Sequence, residues 1–170
     1  MLSQVYGYHL PDDDANDCFL FMEWVDGKTL DAWGAELRRN VSWEKLKGIC
    51  RDIVSGVEEL HSKGVLHRDI KPENVMVVAD TAKIMDIGIA EKTGDNEHTL
   101  HTKVKDFIGS LRYASPQFIL GEDFDYTDDV YSIGATFLEL LSGSMPYADV
   151  ERKPVLPIKI INGPPEIGGR

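Results

Sequence analysis

Between Ser42 and Gly64 the chain repeats one pattern: Leu46, Ile49, Cys50, Ile53, Val54, Val57 and Leu60 fall at steps of three and four. Such steps put apolar side chains along one face of a helix, and a stripe this long is stable only against a core. Ser42 is an N-cap residue type, and Gly64 stands where a helix takes its left-handed C-terminal residue. The spacing therefore predicts a core helix between them, with Cys50 packed inside the stripe as a small hydrophobe. Around it, Val5–Tyr8 and Phe19–Met22 read as paired strands across a polar, aspartate-rich turn at residues 11–17. A short helix is expected over Leu30–Leu37. Residues 74–78 and 82–85 read as a hairpin, with Ala79-Asp80-Thr81 as its turn. A second long helix is predicted from a Thr127 cap through Leu141, with apolar residues on so many sides that most of it should be buried. After Gly143 the Pro- and Gly-rich tail is expected not to return to helix.

Composition limits what such a core can serve. In 170 residues, 29 Asp and Glu outweigh 18 Lys and Arg, for a formal charge of −11. That balance speaks against a nucleic-acid or membrane-surface binder. Two cysteines are too few for a disulfide framework, and no Cys/His spacing points to zinc. No apolar run is long enough to span a bilayer and no secretory leader is visible, so a cytoplasmic setting is the expectation.

The strongest chemical signal is His67-Arg68-Asp69-Ile70-Lys71-Pro72-Glu73-Asn74, followed across the hairpin by Asp86-Ile87-Gly88. Phosphoryl transfer needs an acceptor for a hydroxyl proton, a cation near the moving phosphate and hard oxygen ligands for Mg²⁺. Asp69 and Lys71 lie two apart in one loop and can aim at one point. Asn74 and Asp86 lie at opposite ends of the hairpin and can converge on one metal.

At these residues the chain resembles the eukaryotic-type Ser/Thr protein kinase family, and four further segments carry the resemblance. Asp86-Ile87-Gly88 resembles the metal-binding Asp-Phe-Gly motif. Gly109-Ser110-Leu111-Arg112-Tyr113-Ala114-Ser115-Pro116-Gln117 resembles the end of the activation segment, with Gln117 where the family usually has Glu. Asp129-Val130-Tyr131-Ser132-Ile133-Gly134 resembles the start of the central buried helix, whose Asp holds the catalytic loop backbone. Phe21-Met22-Glu23-Trp24-Val25 resembles the last N-lobe strand with the gatekeeper, Met22, and the adenine-binding hinge.

The resemblance implies an α+β, protein-kinase-like fold: residues 1–25 as the end of the N-lobe and the hinge, and residues 26–170 as a helical C-lobe shortened at its C-terminal end. It implies transfer of the γ-phosphate of ATP to Ser or Thr of a protein substrate. In those roles Asp69 accepts the proton and Lys71 steadies the phosphate, with Ser110 bonded to both. Asn74 and Asp86 hold Mg²⁺, and Met22, Glu23, Val25 and Met76 receive the adenine. His67 and Ile87 read as core residues.

The glycine-rich phosphate loop and its anchoring Lys do not precede Val5, so this stretch alone is expected to bind ATP poorly. A pseudokinase-like scaffold is the second reading. A small-molecule phosphotransferase is a third, opposed by Lys71, the 109–117 segment and the Asp129 helix. Arg68 resembles the residue that receives an activation-segment phosphate, and Asp106, or phosphorylated Thr99 or Thr102, is a candidate anion for it.

Overall fold

The computed structural model describes residues 2–9, 19–38, 42–86, 91–92, 110–150 and 153–165, with Glu91, Lys92, Ser110 and Lys153 described by backbone alone. The turn expected at residues 11–17, Ile87 and Gly88, and Thr99, Thr102, Asp106 and Gly109 lie outside the described residues, as does the side chain of Ser110.

The long helix, α2, runs Trp43–Ser62. The Ser42 hydroxyl accepts from the Lys45 amide, and Gly64 takes φ +71° just past the C-cap Lys63. Leu46, Ile49, Ile53, Val57 and Leu60 are buried as the periodicity requires. Cys50 is half-buried against the same core, and burial pushes its thiol pKa up. Val54 departs from expectation: one step of about 100° beyond Ile53, it faces away and is exposed.

The core closes over this stripe from three sides. Helix α1, Leu30–Leu37, follows the two-residue strand β3, Lys28–Thr29. β3 pairs antiparallel with β5, Val75–Val78, and β5 with β6, Thr81–Ile84. Burial alternates along β5 and β6, so Val75, Val77, Ala82 and Ile84 enter the core while Met76 and Lys83 share the opposite face. The hairpin turn has two residues, not three. Ala79 and Asp80 are both left-handed (φ +47° and +60°), the geometry whose twist suits a two-residue hairpin, so Thr81 pairs with Val78 as part of the strand. The hairpin β1–β2, Val5–His9 with Phe19–Met22, is antiparallel as expected and carries an irregularity between Val5 and Gly7. The strand β4, Val65–Leu66, pairs with β7, Glu91–Lys92.

Helix α4 runs Tyr126–Ser142, and three expectations about the C-terminal half need correction. Its cap is Asp125 rather than Thr127. A carboxylate accepts the Thr127 amide and hydroxyl, while the Asp128 side chain reaches back to the Asp125 amide, closing a capping box. Nor is α4 buried on most sides: Ile133, Ala135, Thr136 and Leu140 face inward, whereas Val130 and Leu141 are exposed. The tail does return to helix. After the short helix α3, Pro116–Ile119, and α4, helix α5 spans Leu156–Asn162 and packs Leu156 and Ile160 with Tyr147 and Val150. Pro157 sits in the first turn of α5, where a missing N–H costs no intrahelical bond.

Gly27 lies against β5: a Cβ there would stand 2.6 Å from the Val77 carbonyl oxygen and 2.7 Å from Val78 Cγ2. Gly48 in α2 would meet nothing within 4 Å. Gly27→Ala is therefore expected to destabilise by about 1–3 kcal/mol through overpacking, and Gly48→Ala to stabilise by about 0.5–1 kcal/mol through helix propensity. Urea unfolding of the two variants checks the opposite signs.

Candidate active site

The loop between β4 and β5 has no regular structure until a single 3-10 turn at Pro72–Asn74, so something else must fix it. That is Asp129, in the first turn of α4 and fully buried. Its Oδ2 accepts the His67 amide at 2.9 Å and its Oδ1 the Arg68 amide at 2.9 Å. His61, in the last turn of α2, adds Nε2 at 2.8 Å to Oδ2. Arg68 has φ +70°, an uncommon conformation for a residue with a side chain, and the Asp129 bond holds its amide there. The Arg68 guanidinium lies over the Phe124 ring, 5.4 Å from its centroid.

His67 is fully buried, as expected of a core residue, and also ties the loop to β6. Its Nδ1 accepts the Asp69 amide at 3.3 Å, so Nε2 carries the proton given to the Met85 carbonyl at 3.0 Å. The Met85 amide in turn donates to the Asn74 carbonyl at 2.8 Å. These two bonds set the backbone before Asp86 against the loop. Asp86 itself is exposed and left-handed, with φ +55°.

Asp69 and Lys71 meet as their spacing predicted, with Lys71 Nζ 2.6 Å from Asp69 Oδ2. Asn74 Nδ2 donates to the same Oδ2 at 2.8 Å and to the Asp69 carbonyl at 2.7 Å. Both side-chain bonds fall on one oxygen. Among the described residues, Asp69 Oδ1 has no donor. With the Asn74 amide nitrogen committed to Asp69, its oxygen is the atom left to coordinate.

Among the described residues no three His, Cys, Asp or Glu side chains form a metal cluster. The oxygen donors that the sequence offers for Mg²⁺ are Asn74, which is buried, and Asp86, which is exposed.

Met22, Val25 and Met76 are half-buried. The Glu23 side chain is engaged elsewhere: its Oε1 lies 2.7 Å from Lys83 Nζ and accepts the Gln4 amide at 3.2 Å, and these bonds hold its pKa below the usual value. Sequence reasoning missed His61 and Lys83. His61 follows Leu60 and lies four residues past Val57, so its place beside the apolar stripe was readable. Its long-range partner was not.

Beneath the loop, the Tyr113 hydroxyl donates to Glu139, and the Ser115 hydroxyl, which caps α3, donates to buried Asp128. Burial pushes the Glu139 carboxyl above its ordinary 4.5, with Glu73 and Asp31 adding repulsion against the opposing Tyr113 bond and Arg38 charge.

A protein-family model described as protein kinase domain matches residues 5–162. A probable serine/threonine-protein kinase of Clostridium acetobutylicum is 35% identical over 135 residues, covering 79% of this chain and 20% of the relative. The serine/threonine-protein kinase PknB of Mycobacterium tuberculosis is 34% identical over 131 residues, 76% of this chain and 20% of that protein. A MAP kinase kinase of Saccharomyces cerevisiae is 33% identical over 139 residues, 79% of this chain and 26% of its own length. The chain thus spans about a fifth to a quarter of the length of these three relatives.

Asp129→Ala removes the acceptor of two loop amides and His61. The expected loss is about 3–5 kcal/mol, as for breaking other buried charged pairs, measured by chemical denaturation. Glu139 sets a pH dependence. A carboxyl with a raised folded pKa binds its proton more tightly folded than unfolded, so its contribution is present below 4.5 and lost as pH rises through the folded pKa. Glu139→Gln is expected to remove that decline, so its urea midpoint relative to the parent should rise from pH 4.5 toward pH 7.

Proposed function

The chain belongs to the protein kinase family, and we propose that its residues serve transfer of the ATP γ-phosphate to Ser or Thr hydroxyls of a protein substrate. The observation that carries this reading is the division of Asp69: Oδ2 is held by Lys71 and Asn74, and Oδ1 is left to act. The substrate oxygen attacks the γ-phosphorus, its proton passes to Asp69 Oδ1, and the bond from γ-phosphorus to the bridging oxygen breaks to release ADP. Lys71, beside the base, offsets negative charge on the phosphoryl oxygens. Asn74 and Asp86 would hold Mg²⁺, which would supply charge neutralisation to the phosphates. Met76 forms the floor for the adenine, Met22 its rear wall, and the Glu23–Val25 backbone the edge that reads it. The family resemblance gives the Ser110 hydroxyl a role beside Asp69 and Lys71, which would favour Ser and Thr acceptors. In this reading residues 1–25 are the N-lobe end and hinge, and residues 26–170 belong to the C-lobe.

The test is phosphate transfer from labelled Mg·ATP to a peptide array by this chain joined to a glycine-rich loop and its anchoring Lys, since residues 1–170 alone are expected to bind ATP poorly and to transfer little. Phosphoserine and phosphothreonine are the expected products. Asp69→Asn should lower kcat by about 10²–10⁴-fold, the usual contribution of a positioned base. Products dominated by phosphotyrosine would reject the Ser/Thr assignment, and nucleotide binding with no transfer would favour the scaffold reading.

A further inference from the structure

One side-chain contact joins the segment after β2 to the strand that leads to Asp86. Lys83 stands directly across from Met76, and adjacent cross-strand residues project from the same face. That face is the half-buried one, opposite the core residues Val75, Val77, Ala82 and Ile84. From there the Lys83 ammonium reaches Glu23 Oε1 at 2.7 Å, with side-chain exposures of 30% and 18%. Backbone bonds secure the β1 side of this junction: the Ser3 amide donates to the Ile84 carbonyl at 2.9 Å, and the Glu23 amide to the Gln4 carbonyl at 2.9 Å. Just beyond Glu23, Trp24 is 91% exposed and packs on nothing among the described residues that would hold it, while Val25 is half-buried. Among the described residues, Glu23–Lys83 is the ion pair that links residues 2–25 to the rest of the chain.

We propose that Lys83 is a positioning residue for the nucleotide: through Glu23 it holds the 23–25 segment at a fixed height over Met76, and so sets how tightly a purine ring is gripped. This inference rests on the kinase reading of the site. Partly shielded ion pairs add little net stability, because desolvation offsets most of their attraction, yet their geometry is directional. The consequence of the Lys83–Glu23 bond is therefore placement. Asp69, Lys71 and Asn74 are held by Asp129 and by one another, independently of this pair. Its loss should weaken nucleotide binding and leave the transfer step nearly intact.

Steady-state kinetics of the chain joined to a glycine-rich loop and its anchoring Lys tests this with Lys83→Met, Lys83→Arg, Glu23→Gln and the Lys83→Met/Glu23→Gln double variant. Lys83→Met should raise KM for ATP about fivefold or more with kcat within about twofold, and Glu23→Gln should raise KM at least as much. The double variant should be no worse than Glu23→Gln alone, and Lys83→Arg should restore most of the affinity. A purely structural pair would not split KM from kcat in this way.

Hydrogen exchange at residues 5–9 and 19–22 provides a readout that does not depend on activity. Exchange there should accelerate in Lys83→Met and recover in Lys83→Arg. In that extended protein, absence of both transfer and Mg·ATP binding would refute the kinase reading, whereas the exchange measurement tests the tether by itself. Unchanged KM in Lys83→Met, additive effects in the double variant, or unchanged exchange would each overturn the proposal.

Discussion

Asp129 is a carboxylate with no exposure, and the site depends on what surrounds it. A buried charge is costly unless nearby donors replace its lost hydration. Here the donors are the amides of His67 and Arg68 and the ring of His61. The constraint runs both ways. The carboxylate needs the loop amides, and the loop, lacking regular structure, needs the carboxylate to hold Arg68 left-handed. Because α4 carries Asp129 and α2 carries His61, the two longest helices meet at the loop they position.

A second set of bonds carries that order toward Asp86. His67 turns its proton to the Met85 carbonyl, and Met85 donates to the Asn74 carbonyl. The left-handed Asp86 is thereby tied to the same loop as Asp69, although 17 positions separate them in sequence. The hairpin between them divides its faces. Val75, Val77, Ala82 and Ile84 anchor it in the core, which frees Met76 and Lys83 to face the other way. Alternation along two four-residue strands thus serves packing and site together.

Much of this was legible in the chain. The α2 stripe, the catalytic loop and the β5–β6 hairpin are local patterns, and local patterns survive into structure because their spacing is the geometry. What escaped reading was of two kinds. Some signals were outweighed by a stronger neighbour: the Pro and Gly content after Gly143 argued against helix, although Pro157 in the first turn of α5 breaks nothing, and Thr127 read as a cap although Asp125, two residues earlier, is the better acceptor. The other kind has no local signature. Nothing near Glu23 announces Lys83 sixty residues away, and nothing near His61 announces Asp129.

The unread contacts are those that set angles and heights, and the readable ones are those that supply chemistry. Asp69, Lys71 and Asn74 hold one another whatever lies beyond them, so the reactive group is encoded within six residues. Its orientation relative to Asp86, and the placement of Met76 beside it, are encoded by α4, α2 and β6 together. A change in the core beneath β5 or β6 therefore reaches the site through placement. Truncating Ile84, for example, would leave Asp69 its partners and yet loosen both the Ser3 bond to the Ile84 carbonyl and the strand that carries Lys83. Residues that never touch a nucleotide can set its affinity, because the backbone they pack carries the groups that do.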